Sequence, residues 1–530
     1  MTFSREPFQK SFYVGDFDIG APPKTLRELE VMKLSAHLRS KLDWHNKIHN
    51  PEIIYKWSEE AKAYGLTKAQ VDFVLEELKY YASLRDDESG IEASAVDGVW
   101  QSDKLIEGVL KEELRRGVRG LEDIPEAYKD WHPGSNKQVL DLVHPSLYCF
   151  VSGVTRQIPP GKDMNAVLAS CGSGEIKPLR EVAEYSDNYA YSSKYQWLPA
   201  DLFVSESGDV TFNSYINNLH PVWHHELYST ISKIFSRFVP LFNRVLTDLR
   251  HPRDNRIEVD PYTWYDNDSS MPDDDDDEAM DDWYQNRLPA LPDAPAYSPP
   301  SAPAPSDIVD LRNSHLQVIV KIANIELTPE NPEYPGGTWH VEGMLNESIV
   351  ASGIYYWSSE NVTKNELSFR VAVMDPGYEQ NDDNGIEAVY GLVNNGPMNQ
   401  VLGSAVTQED RCIAFPNTLQ HRVSPFRLSD PTKPGHRKIL VFFLVDPTST
   451  ILSTSVVPPQ QQSWLADQLS PIPPFKELSK EVLDSIVDFS ELMTLQEAKK
   501  HREELMVERK YFVSQNNEQL FEREFSLCEH

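Results

Sequence analysis

The sequence predicts an α+β protein in which a strand-rich barrel or sandwich is flanked by helices at both ends. Three observations carry this: helical periodicity from Thr25 to about Arg119, a succession of short strand-like runs between about Ile308 and Pro459, and a return to helical sequence near the end. At 530 residues the chain exceeds what one growing core supports, so roughly two to four structural units are expected.

The first unit, 1–130, reads as helical. Val71, Val74, Leu75, Leu78 and Ala82 recur on one helical face, and Thr25 with Glu28 forms a capping-box signature ahead of the first helix. Its expected role is packing. The second unit, 131–465, changes pattern: Gln138 to Val151, Tyr195 to Val204 and Val210 to Asn217 are β-branched or aromatic runs bounded by Pro, Gly and Ser. Leu227 to Leu249 returns to helical spacing through Ile231, Ile234, Phe235, Phe238 and Val239, as a helix lying against a sheet requires. Strand-like runs follow at Leu316 to Leu327, Ile349 to Trp357, Leu367 to Val373, Arg411 to Phe415 and Lys438 to Val445, separated by breakers such as Pro335-Gly336-Gly337. The third unit, 466–530, reads as a helical tail, with Thr494 and Glu497 capping a charge-alternating helix.

Within the second unit, 271–306 stands apart. It carries the acidic run Asp273 to Asp277 and then seven prolines between Pro289 and Pro305, a composition that does not repay its own ordering entropy. It is expected to be a disordered insertion, open to trypsin at Arg287. Its second reading is an acidic docking peptide for a basic protein partner, with Trp283 and Tyr284 as apolar anchors.

Fifty basic against 82 acidic residues give a formal charge of −32, which repels phosphate backbones and anionic lipid, so no direct nucleic-acid or membrane partner is expected. Cys149, Cys171, Cys412 and Cys528 are widely spaced and form no C-x-x-C pair, which fits a reducing compartment. The N-terminus lacks a basic region followed by an apolar run, and no long apolar stretch occurs. The expected location is cytoplasmic or nuclear.

The chemistry concentrates in the strand-rich segment. His340 and Glu342 are two residues apart, so on an extended chain an imidazole and a carboxylate point the same way. Downstream, Phe415-Pro416-Asn417-Thr418-Leu419-Gln420-His421-Arg422-Val423-Ser424-Pro425 supplies a second imidazole. Two histidines and one carboxylate make a facial metal site with positions left open. Gly435-His436-Arg437 then opens an apolar strand, and the Arg437 guanidinium has the fork needed to grip a carboxylate.

H-x-E, then H-x-V-x-P, then G-x-R entering an apolar strand resembles the Fe(II)/2-oxoglutarate-dependent dioxygenase superfamily in its prolyl-hydroxylase-like branch. The whole chain is also similar to a largely fungal domain-of-unknown-function family, through Asp130-Trp131-His132-Pro133-Gly134, Ser214 to Pro221 and Gly336 to Asn346. The resemblance implies a double-stranded β-helix (jelly-roll or cupin-like) barrel holding Fe(II) through His340, Glu342 and His421. It also implies 2-oxoglutarate as cosubstrate, its distal carboxylate on Arg437, and hydroxylation or demethylation of an unknown substrate. Two features depart from the pattern: glutamate stands where aspartate is usual, and Arg427 to Pro434 lengthens the gap between His421 and Arg437. Tyr355 and Tyr356, on the strand after the carboxylate, read as core aromatics of which one reaches toward the cosubstrate, and Tyr355 and Asn324 are its further candidate contacts. Arg422 is a rival anchor that alternation turns away from the metal. A catalytically silent cupin-like barrel acting as an interaction module is the alternative. His220, His224, His225 and Glu226 sit at a turn and a helix start, where hydrogen bonding at the helix end accounts for them.

Overall fold

The computed structural model describes residues 7–12, 20–178, 188–265, 272, 277–379 and 382–527. Helix and sheet are mixed, as α+β. The strands do not close into a barrel: among the described residues a nine-stranded antiparallel sheet faces a separate three-stranded one. The reason lies in the connections. Cys412–Pro416 belongs to the large sheet and Gln420–Val423 to the small one, and the chain passes between them through a tight turn rather than a continuous ladder.

The large sheet is built on three long strands, Ser314–Leu327, Gly435–Val445 and Ile349–Glu360, each antiparallel to its neighbour. Alternation divides their side chains. Val318, Val320, Ile322, Leu440, Phe442, Tyr355 and Trp357 face one way and join the core around helix His225–Arg250. Ile319, Val441, Phe443, Ile354 and Tyr356 face the other way, toward Leu367, Phe369, Leu402 and Ala405 of the small sheet.

The helix runs unbroken for 26 residues because its apolar positions recur every three or four residues, and it presses three phenylalanines on the sheet. Phe235 and Phe238 meet Phe442 edge-on, with ring centres 5.1 and 5.4 Å apart. Phe238 and Phe242 also crowd Gly353, where an added Cβ would lie 2.7 Å from the Phe238 ring.

The small sheet comprises Asn399–Thr407, Asn365–Ala372 and Gln420–Val423. Asn399–Thr407 is absent from the sequence reading because Gly403 and Ser404 interrupt its alternation; the register shifts between Phe369 and Arg370 opposite Gly403.

The N-terminal helices Leu26–Arg39, Trp44–Lys47, Pro51–Ala63 and Lys68–Leu84 share one core through Val31, Leu38, Trp57, Val74 and Leu78. They are pinned to the domain by a buried charge network in which Arg256 bonds Glu77 at 2.8 Å and Asp97 at 2.7 Å, and meets Glu28. The 1–130 region is not wholly helical. Glu92–Ala93 and Trp100–Ser102 add to the large sheet beside Cys412–Pro416.

The described part of 271–306 corrects the expectation of disorder. Asp277–Asn286 is helical, Ala294 is buried in the N-terminal helical core, and Tyr297 meets Phe73 edge-on at 5.2 Å. Proline does not prevent this, because an extended segment can lie across an existing apolar surface without donating ladder bonds. Most of the acidic run, at 273–276, lies outside the described residues. Arg287 is held at 2.8 Å from Glu379 and over the Tyr265 ring at 3.7 Å.

Among the described residues no helix is long and apolar enough to cross a membrane. The described cysteines, Cys149, Cys171 and Cys412, are free and buried; Cys528 lies outside the described residues.

Two outcomes follow from this packing. Gly353→Val should cost about 1–3 kcal/mol by overpacking against Phe238 and Phe242, read as a lower urea midpoint. Trypsin should spare Arg287 in the native chain, and Glu379→Ala should expose it, read by the mass of the first fragments.

Candidate metal centre

The sequence stretch Thr338 to Glu342 runs antiparallel to Gln420–Val423, and the backbones of His340 and His421 bond each other in both directions, at 3.2 and 3.0 Å. This pairing sets the two imidazoles side by side, ring centres 4.5 Å apart. Glu342, two residues on, points the same way. Its Oε1 lies 3.7 Å from His340 Nε2 and 3.4 Å from His421 Nε2.

Asn417 fixes the carboxylate's backbone. Its Oδ1 accepts from Glu342 N at 2.8 Å, while its Nδ2 donates to the Glu342 and Ile349 carbonyls at 2.9 and 3.1 Å. The sequence quotes Asn417 within the second motif without giving it this task. Nothing in residue spacing alone reveals a clamp that closes across 75 positions.

The protonation pattern suits a metal. His340 Nδ1 donates to the Thr338 carbonyl at 2.8 Å, which fixes the ring and aims Nε2 at Glu342. Burial opposes charge on Glu342, yet the hydrogen bonds and charges of the two histidines hold its carboxyl well below the usual range. Burial, with His340 beside it, pushes His421 down, so it is neutral near pH 7. His340 moves the other way: burial lowers it, but Glu342 outweighs this and raises it.

These residues fit a divalent ion. Three donor atoms on one face lie within 4.8 Å of one another, and a six-coordinate ion with bonds of about 2.1 Å brings adjacent ligands to about 3 Å. His421 is 4% exposed, whereas the His340 side chain is a third exposed, so one side of the group opens outward.

Arg437 is 2% exposed and faces the space between the sheets. Its guanidinium donates to Asn365 Oδ1 at 2.7 Å and lies near the Tyr356 and Phe426 rings, at 5.4 and 5.1 Å. No carboxylate pairs with it among the described residues, and its Nε is buried without a partner. Burial pushes its pKa below the usual value. The inserted loop before it is tied down by Asn361, whose Nδ2 donates to the Asp430, Lys433 and Pro434 carbonyls.

The sequence reading places two residues on the wrong face. Asn324 donates to Glu122 at 2.7 Å on the side away from the small sheet, and Tyr355 packs in the helix-side core with its hydroxyl toward Asp410. Both fail for the same reason: strand alternation puts Arg437 and Tyr356 inward and Asn324 and Tyr355 outward. Arg422 is exposed and lies over Trp339 at 4.5 Å. His220 stacks on Trp223 at 4.1 Å and its Nδ1 accepts from Val222 N at 3.2 Å, a helix-end arrangement.

A second group, His132, Asp141 and His144, was not foreseen, although His132 lies in the quoted Asp130 to Gly134 motif. His132 Nδ1 donates to Asp141 Oδ2 at 2.7 Å, and His144 Nδ1 accepts from Ser146 N at 3.2 Å.

The chain belongs to the DUF4246 family, described as proteins of unknown function, whose model matches residues 68–468; the family's N-terminal domain matches residues 2–60. No curated protein matches. Among solved structures, the chain is similar to an Fe(II)/(alpha)ketoglutarate-dependent dioxygenase, TqaL, at 11% identity and TM-score 0.20, over 47% of this chain and 65% of that one. A bsmA homolog from Methylobium petroleophilum (13% identity, TM-score 0.16) and IDO from Bacillus thuringiensis (9%, 0.17) each match 26% of this chain. The chain spans about half the length of these two, 44% and 49%. At such TM-scores the likeness carries no argument about activity.

The buried His144 gives a pH test. Burial pushes it down to about 3 from 6.5, so between those values the unfolded chain binds a proton that the folded chain refuses. Stability should therefore be full above pH 6.5 and fall as pH drops through that window. Asp141 adds to the loss at lower pH, because its carboxyl is held below 3.8 in the fold. Urea midpoints from pH 7.5 to 4 should decline in the wild type and decline less in His144→Asn.

Proposed function

We propose that this protein is a non-haem Fe(II)/2-oxoglutarate-dependent oxygenase, with iron held by His340, Glu342 and His421 and the cosubstrate's distal carboxylate held by Arg437. The observation that carries this is Arg437. Other buried arginines of the chain meet carboxylates, as Arg256 meets Asp97 and Arg502 meets Asp130, whereas Arg437 meets only an amide and a hydroxyl. A buried unpaired cation is costly unless an anion neutralises it, and a dicarboxylate bound to a metal across the same interior would do so.

The winding of the chain supports the same reading. From Ser314 onward, successive segments fall in the large sheet, the small one at His340, the large one, twice in the small one, then large, small and large. Four segments on each side in this order are the winding of a double-stranded β-helix, held open as two facing sheets.

Bound there, ferrous iron and 2-oxoglutarate supply dioxygen activation coupled to decarboxylation of the oxo-acid to succinate and CO2, with one oxygen atom delivered to the substrate. The chain's own residues prepare for it. Thr338 sets the His340 tautomer, Asn417 holds the Glu342 backbone, and Tyr334, Tyr356 and Phe426 keep water from the Arg437 guanidinium.

His340→Ala and His421→Ala should each abolish stoichiometric Fe(II) binding, measured by elemental analysis of the folded variants. Arg437→Ala should keep the metal and lose roughly 2 to 5 kcal/mol of 2-oxoglutarate binding, about thirty-fold or more in affinity. Anaerobic titration followed through the metal-to-ligand charge-transfer band reads this directly. Arg437→Lys should recover only part of the loss, since an ammonium lacks the planar fork. An unchanged titration in Arg437→Ala would move the anchor elsewhere.

A further inference from the structure

Opposite the metal group, the inner face of the large sheet carries two opposite charges that do not touch. Lys321 is in the middle of strand Ser314–Leu327, paired with Val441 on one side and next to strand Val139–Val143 on the other. Asp141 lies opposite Ala323, two residues along on the same face. The outward residues on either side of Lys321, Val320 and Ile322, are buried against the helix-side core, so the partial exposure of Lys321 can only come from the space between the sheets. Ile439, also inward, is partly exposed in the same way.

Lys321 makes no hydrogen bond or ion pair among the described residues, and Asp141 Oδ1 is buried with no partner. Lys321 and Asp141 share the sheet face that carries Val441, which shares a core with Phe415, whose ring meets His421 at 4.8 Å.

A metal is a poor occupant for this second group. Because His144 Nδ1 accepts the Ser146 amide, the ring's proton is on Nε2, and His132 spends its Nδ1 proton on Asp141. The Lys321 ammonium adds like charge. His132 instead holds Asp141 through Oδ2, which leaves Oδ1 without a partner.

We propose that Lys321 and Asp141 are the substrate-recognition pair of this site, and that the substrate is a free α-amino acid, its carboxylate on Lys321 Nζ and its ammonium on Asp141 Oδ1. A lone anion would be repelled by Asp141 and a lone cation by Lys321; a zwitterion satisfies both. His132, partly exposed, lines a cleft of about 770 Å³ with Gly134, Val139, Tyr334 and Phe426, and the last two residues also border Arg437. The cleft touches the pair through His132, which bonds Asp141.

The inference rests on the oxygenase reading, and one set of measurements separates them. Full-length protein, loaded anaerobically with Fe(II) and 2-oxoglutarate, is titrated by calorimetry with each of the twenty L-amino acids, and for any binder with its amide and its N-acetyl derivative. At least one amino acid should bind, and removing either charge should weaken it tenfold or more. Lys321→Met should abolish the preference for acid over amide, and Asp141→Asn the preference for amine over acetyl. Should either variant fail to fold, the wild-type comparison of acid, amide and N-acetyl forms decides alone. Absence of binding by all twenty, or equal binding of the three forms, overturns the proposal; a normal charge-transfer band in the same sample then leaves the oxygenase reading standing, and its absence removes that too. A loss of 2-oxoglutarate affinity in Lys321→Met that equals the loss in Arg437→Ala would also overturn it, by making Lys321 a cosubstrate anchor.

Discussion

The packing of helix His225–Arg250 on the three long strands is the constraint on which the rest depends. Phe235 and Phe238 pack on Phe442, Phe238 and Phe242 pack over Gly353, and the outward Val318, Val320 and Ile322 belong to the same core. Because side chains alternate with a period of two, fixing the outward set fixes the inward set as well. A one-residue slip of Gly435–Val445 would turn Arg437 into the apolar helix core and bring Phe442 into the site. Register is therefore held by ordinary apolar burial far from any chemistry, and the polar interior inherits it.

The face that carries His340 and His421 has a second support behind the small sheet. Gln420, next to His421, donates to Asn517, and Arg370 bonds both Gln420 and Glu522. Asn399 reaches the Phe521 carbonyl. The end of helix Leu495–Asn516 and the turn after it are thus bonded to the strand that carries His421. Further along the same helix, Arg509 meets buried Glu347, which also accepts from the Met344 and Trp197 amides. The helical tail therefore braces both halves of the site.

Much of the site was legible because it rests on local rules. His340 and Glu342 share a direction on any extended segment, and G-x-R before an apolar run places an arginine at a strand start. The strands with clean alternation were readable for the same reason. What failed needed long-range information. Asn324 and Tyr355 have the right chemistry on the right strands, but only the helix on one face decides which parity points inward. The proline-rich segment was misread because composition describes what a segment does alone, and this one lies on a surface built by helices more than 200 positions earlier, as Thr67 meeting Asp293 illustrates. The Lys321 and Asp141 pair is silent in sequence, since a lysine in a strand reads as an edge or surface residue until strands are found on both sides of it.

The nine-stranded sheet also dictates an order of assembly. Trp100–Ser102 pairs with Cys412–Pro416, and Val139–Val143 pairs with a strand that begins at Ser314. Contacts of such sequence separation form slowly, because loop closure is costly before the strands reward it. On the ribosome, the early strands emerge as open edges and wait for some 200 to 300 further residues, at a synthesis rate of about 5–20 residues per second. The helical N-terminal core is built mainly from residues up to Leu84, and Ile257 and Ala294 join it only later in synthesis. Until their partners are synthesised the early strands remain open edges, the state of the chain most exposed to mispairing.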